Sequence, residues 1–148
     1  AGHEPPLVVP ADGTLETLPP GGLILGMLPG QRYTECRAAL EPGDSLILYT
    51  DGITEAMGPG TRIPGLDLAA LPAPGGTEHE SSDDDEDDDE IVTNFFGEDR
   101  LREIAVARRH ESAASIRRAI LDAVSRHVRD VPQSDDVTLV VIQRERAA

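Results

Sequence analysis

Short apolar runs separated by Pro- and Gly-rich breaks fill the first 57 residues, and a helical period begins only after residue 94. Pro6-Leu7-Val8-Val9 and Leu15-Glu16-Thr17-Leu18 flank Ala11-Asp12-Gly13-Thr14. Asp-Gly between two extended runs predicts a hairpin. Pro19-Pro20-Gly21-Gly22 breaks the chain before the apolar stretch Leu23-Ile24-Leu25-Gly26-Met27-Leu28. Residues 33–40 are expected to form a strand, Glu41-Pro42-Gly43-Asp44 a turn, and Ser45 to Thr50 a second strand. Ser-Leu-Ile-Leu-Tyr-Thr is nearly continuously apolar, so both of its faces are expected to be covered. It runs directly into Asp51-Gly52-Ile53-Thr54-Glu55. A carboxylate at the end of a buried strand is held rigidly, which suits a ligand or a catalytic group.

The helical period predicts two helices. One spans Gly97 to about Arg109, with Leu101, Ile104, Ala105 and Arg108 at helical spacing. The other follows Ser112 as N-cap and runs to about Arg129, with a stripe of Ile116, Ala119, Ile120, Ala123, Val124 and Val128. Eight of the 13 Arg lie between Arg100 and Arg129. They fit the solvated face of two amphipathic helices, or a docking surface for an acidic partner or for the chain's own acidic loop. The chain closes on Pro132-Gln133-Ser134-Asp135-Asp136 and the apolar run Val137-Thr138-Leu139-Val140-Val141-Ile142, a carboxylate pair abutting a second buried-type strand.

Charge alters this picture in one place. The 148 residues carry 28 acidic and 13 basic side chains, a net charge of −15. Ten of the acids fall between Glu78 and Glu90, including the contiguous run Asp83 to Glu90, and the rest of the chain stands near −5. The preceding stretch, Gly58 to Thr77, is rich in Gly, Pro and Ala, so residues 58–93 are expected to be a long disordered insertion. As a calcium loop the acidic run fails, because Asp88 stands where the turn Gly belongs and Asn94 where the closing Glu belongs. A solvated spacer, a cation sponge or a nucleic-acid mimic remain as readings of it.

Composition removes further classes. The acidic balance disfavours nucleic acid and anionic membranes as partners. All basic residues are Arg, which excludes a Walker-type phosphate loop and Schiff-base lysine chemistry. Four aromatics and no Trp leave little for base stacking. The single Cys36 permits no intrachain disulfide and points to a reducing, cytoplasmic setting. No apolar run reaches the roughly 18–20 residues of a membrane span. His3, His79, His110 and His127 are dispersed and lack zinc-site spacing. Neither Gly-x-Ser-x-Gly nor a Cys-His pairing occurs, and Gly58-Pro59-Gly60 meets Ile63 where a dinucleotide fingerprint needs Gly.

What remains is the pair Asp51 and Asp135, with Asp136 alongside, each where a turn meets an apolar strand. If the two strands are neighbours, these carboxylates converge on one hard divalent cation, and oxygen donors suit Mg²⁺ or Mn²⁺ better than zinc. Strand-end Asp residues are also common turn formers, and spacing alone leaves both readings open.

The run Leu40-Glu41-Pro42-Gly43-Asp44-Ser45-Leu46-Ile47-Leu48-Tyr49-Thr50-Asp51-Gly52-Ile53-Thr54-Glu55-Ala56 resembles a signature of metal-dependent (PPM-type) protein serine/threonine phosphatases. That signature reads Pro-Gly-Asp…Tyr-(Thr/Ser)-Asp-Gly-(Val/Ile)-Thr-Glu, and the resemblance is to the bacterial sporulation-protein-E-like branch, which includes regulators of sigma factors. Four further stretches fit in the same order. Ala1 to Leu7 resembles the Asn-Ala-Gly-His-x-Pro strand, Gly22 to Gly26 a Gly-x-x-Leu-Gly segment, Phe95 to Leu101 a Phe-Gly-Glu-(Glu/Asp)-Arg-Leu helix start, and Gln133 to Thr138 the closing Asp-Asp-(Ile/Val)-Thr strand.

The resemblance implies an α/β (α+β) sandwich: antiparallel strands with two C-terminal helices, part of the family's four-layer αββα fold. Residues 1–57 and 94–148 would form the C-terminal part of the domain, and 58–93 an insertion. It implies two Mn²⁺ or Mg²⁺ ions, with Asp51 and Asp135 as ligands, Gly52 allowing a tight turn beside the metal, and Asp136 in a supporting place. The Asp-x-x-Gly-His-Gly motif that bridges both metals is absent from these 148 residues, as is a general acid. It is expected upstream, because the first residue is Ala and the start falls inside a family strand. The isolated chain is therefore expected to be inactive. The implied activity is dephosphorylation of phosphoserine or phosphothreonine on a regulatory protein, such as an anti-sigma-factor antagonist, under an upstream sensor domain. The alternative is a non-catalytic phosphatase-like module that binds a regulatory partner.

Overall fold

The computed structural model describes residues 2–62 and 92–146. Four strands, β1 (Leu7–Val9), β2 (Glu16–Thr17), β3 (Ser45–Tyr49) and β4 (Leu139–Gln143), form one antiparallel sheet in the order β2-β1-β3-β4. Three helices, α1 (Asp51–Thr54), α2 (Glu98–Ala107) and α3 (Ala113–Val128), lie between β3 and β4 in the chain. The expected α+β class, an antiparallel sheet with two long C-terminal helices, is the observed one.

The hairpin closes as the Asp-Gly signal predicts, with Leu7 opposite Thr17 and Val8 opposite Glu16. Gly13 has φ +91°, a conformation that a side chain would strain. Asp12 Oδ1 accepts from both the hydroxyl and the amide of Thr14, at 2.6 and 2.8 Å, and these bonds hold its carboxyl below the usual range. The expected turn at 41–44 is tied to this hairpin by Asp44, which accepts from Ala11 N and Glu41 N.

One face of the sheet supplies Leu7, Val9, Ile47 and Tyr49 to the core. Leu101 and Ala105 of α2 and Ile116, Ile120 and Val124 of α3 close over them. The apolar members of the predicted stripes are buried or half-buried, whereas Arg108 is exposed, and Ser112 caps α3 by accepting from Ser115 N. Tyr49 reaches past the core to donate to Glu98 Oε1 at 3.4 Å, where Arg102 also binds. Burial, with the Glu98 charge second, pushes the Tyr49 phenol up to about 12.

Two expectations change. Residues 33–40 form no strand: they run exposed and exchange no backbone hydrogen bonds with any described segment, so no sheet edge is there to pair with them. The run Ser45 to Tyr49 is not covered on both faces. On its second face Leu46 and Leu48 are half-buried, with a buried Val8 (4 % exposed) on one side and the exposed Val140 (45 %) and Ile142 (48 %) on the other. The apolar stretch 23–28 is exposed as well, Leu25 to 71 %. The insertion expected over 58–93 falls for its main part, 63–91, outside the described residues. On either side of those residues the chain pairs with itself: Met57 bridges Phe95, Arg62 bridges Val92, and Gly58 N donates to Asn94 O at 2.7 Å.

Candidate functional site

Topology brings the two candidate carboxylates to one end of the sheet. β3 and β4 are antiparallel, with Tyr49 opposite Leu139 as the last pair. Residues just after β3 therefore lie beside residues just before β4. Thr50 N donates to Thr138 O at 3.1 Å, extending the ladder by one step. Asp51 opens the single turn of α1, whose Ile53 is fully buried and fixes that turn on the core.

Gly52 sits where the two segments touch. A Cβ there would collide with the carbonyl oxygen of Asp136 and stand 3.0 Å from its carbonyl carbon and 3.3 Å from Asp135 O. The obstacle is backbone, which cannot swing aside. The family resemblance implies a tight turn at Gly52; here it lies in α1 outside the set of positive-φ glycines, and its missing side chain permits the close approach of the 135–136 loop.

Asp51, Asp135 and Asp136 are all exposed. Asp51 Oδ1 accepts from Gly52 N at 3.0 Å, and Asp135 Oδ1 accepts from Asp136 N at 2.7 Å. The second oxygen of each is unused among the described residues, and none of the three pairs with Arg there. Three carboxylates at one sheet end without a counter-charge favour a cation, and an all-oxygen donor set suits Mn²⁺ or Mg²⁺. The missing Cβ of Gly52 keeps the two carboxylate-bearing segments together, so the residues present fit a share of a metal site. They do not complete one: among the described residues no group of three or more His, Cys, Asp and Glu is gathered to hold an ion.

Thr50 is the residue that sequence reasoning passed over. Its signal was a β-branched hydroxyl directly before Asp-Gly at a strand end. A cavity of about 260 Å³ lies behind the same region, walled by Gly52, Ala56, Met57, Val124 and Val137. A wider groove of about 540 Å³ between α2 and α3 shares no residue with the carboxylates. Of the Arg residues on these helices, Arg102 pairs with Glu98 and Arg108 with Glu111. Among the dispersed His residues, His127 is bound to Asn94 O and Arg100, and His79 lies outside the described residues.

The sequence matches the family profile described as Stage II sporulation protein E (SpoIIE) over residues 1–84 and 75–145. The chain belongs to the SpoIIE family. Its sequence is 39 % identical over 59 residues to Protein IcfG of Synechocystis sp., a match covering 40 % of this chain and 9 % of IcfG. Its fold is similar to the SiaA-PP2C domain of Pseudomonas aeruginosa, with a TM-score of 0.62 at 17 % identity over 94 % of this chain and 42 % of that one. It is similar also to the RsbU and RsbW domains of Rv1364c from Mycobacterium tuberculosis, with a TM-score of 0.57 at 27 % identity over 98 % and 31 %. A third likeness is to the phosphatase domain of the cell fate determinant SpoIIE from Bacillus subtilis, presoaked with Mn, with a TM-score of 0.57 at 15 % identity over 99 % and 49 %. This SpoIIE-family chain thus spans less than half the length of each of these proteins. Phosphatase domains of the family are metal-dependent, using Mn²⁺ or Mg²⁺. Among the described residues no helix is long and apolar enough to cross a membrane.

Proposed function

We propose that the protein dephosphorylates phosphoserine or phosphothreonine on a regulatory protein, with this chain as the C-terminal part of a longer metal-dependent phosphatase domain. The observation that carries the reading is the backbone contact at Gly52, which joins the Asp51 turn to the Asp135–Asp136 loop. Near-complete coverage of this chain against less than half of each structural neighbour supports the larger domain.

Asp51 and Asp135 are the ligands in this reading, each offering an oxygen that its own local hydrogen bond leaves unused. Asp136 adds negative charge beside them and gives its carbonyl to the contact with Gly52. Bound Mn²⁺ or Mg²⁺ supplies acidification of the attacking water and neutralisation of phosphoryl charge. A further carboxylate ligand would come from an Asp-x-x-Gly-His-Gly motif in the remainder of the domain. Substrates are phosphoproteins of a signalling pathway, an anti-sigma-factor antagonist being the type that the family resemblance suggests, in the cytoplasm and under an upstream sensor domain.

The open apolar face around Val140 and Ile142 favours a second reading, a non-catalytic module that docks a regulatory partner. Mn²⁺-dependent hydrolysis of a generic phosphoester by the full-length protein separates the two. Activity is expected in the wild type, with a loss of more than about 100-fold in Asp51→Asn, beyond the range for outer groups that merely support a ligand. The isolated 148-residue chain should show none. Wild-type activity in Asp51→Asn would exclude the site, and an inactive full-length wild type would favour the docking module.

A further inference from the structure

Thr50 occupies the N-cap position of α1, with φ −94° and ψ 161°. A Thr at that position ordinarily accepts from an amide of its own helix's first turn. Thr50 makes no such bond. Its hydroxyl donates instead to Asp136 O at 2.9 Å and accepts from Thr138 N at 3.0 Å. Together with Thr50 N donating to Thr138 O, one residue makes three bonds to the 136–138 segment. One of them goes to the carbonyl that rests on Gly52, and the other two hold Thr138 two residues further on.

From this we infer that Thr50 is a positioning residue: its hydroxyl fixes the spacing between the Asp51 and Asp135 carboxylates and so sets the divalent-cation affinity of the site. The inference rests on the reading of Asp51 and Asp135 as ligands. The hydroxyl is the only part of Thr50 that serves both as donor and as acceptor across the gap. Valine keeps the shape and the β-branching but loses both bonds. It also leaves the Asp136 carbonyl and the Thr138 amide without these partners, so the loop loses its register relative to α1. Serine keeps both bonds.

The test is the Mn²⁺ affinity of the full-length protein, measured by titration calorimetry without substrate, for wild type, Thr50→Val, Thr50→Ser and Asp51→Asn. Outer groups that orient ligands typically change metal affinity by about 10–100-fold. Thr50→Val is expected to weaken Mn²⁺ by at least about tenfold, while Thr50→Ser stays within about threefold of wild type. Circular dichroism confirms the fold of each variant, and Thr50→Ala replaces Thr50→Val should the valine variant not fold. If Asp51→Asn loses Mn²⁺ while Thr50→Val binds as wild type, the positioning role is overturned and the ligand reading survives. If Thr50→Ser binds as weakly as Thr50→Val, the hydroxyl is not the cause, which also overturns the role. If Asp51→Asn binds Mn²⁺ as tightly as wild type, the ligand reading fails and the inference with it.

Discussion

A single missing methyl group at Gly52 lets two distant segments meet. Because the Asp136 carbonyl fills the space that a Cβ would take, Gly52→Ala must push either α1 or the 135–136 loop away. Overpacking of this kind costs about 1–3 kcal/mol. A lower melting temperature together with at least about tenfold weaker Mn²⁺ binding is expected, in keeping with lost ligand support. An alanine variant that binds Mn²⁺ as wild type would show that the close approach is not needed. Tyr49 makes a second residue-level prediction. Its phenol is raised from 10 to about 12, so the folded state favours the neutral form. The resulting stability is fully present below pH 10 and is lost as pH rises from 10 towards about 12. Urea unfolding across that window should show a steeper alkaline loss for wild type than for Tyr49→Phe, and equal slopes would count against the buried phenol. Asp51, Asp135 and Gly52 stand out in the sequence because Asp-Gly and Asp-Asp at strand ends are local patterns. Thr50 does not, because its partners lie more than 80 residues away and nothing local marks them.

At the scale of elements, α2 and α3 are legible because their apolar spacing and their capping residue are written within each segment. The hairpin is legible for the same reason. The strand expected at 33–40 fails because a strand also needs a partner edge, which period-two alternation cannot report. The cover expected on both faces of β3 fails similarly, since an apolar face shows a need for burial without naming what supplies it. The end of α3 carries its own prediction. Arg129, the C-cap, has φ 54° and ψ −116°, a region that suits Gly and strains an Arg side chain. Removing that strain should stabilise the fold by about 1 kcal/mol. Arg129→Gly is thus expected to raise the melting temperature by a few degrees. A decrease would mean that contacts of the Arg129 side chain outweigh the strain. Arg129 directly precedes the 130–138 connection that carries Asp135.

At the scale of the whole molecule, the net charge of −15 divides into a concentrated run at 78–90 and a near-balanced remainder. That run falls within residues 63–91, outside the described residues; among the described residues the charges at the sheet end are the carboxylates Asp51, Asp135 and Asp136. The sheet has one face packed by helices and, at β3 and β4, a largely exposed second face, and the chain covers less than half of each structural neighbour. In the proposed function Asp51 and Asp135 serve one cation together. The most direct check is Mn²⁺ titration calorimetry of the full-length protein with Asp51→Asn, Asp135→Asn and the double variant. Ligands of one ion should not act additively: each single variant should lose more than about 100-fold in affinity, and the double variant little more. Wild-type affinity in either single variant, or losses that simply add, would show that the two carboxylates do not share an ion.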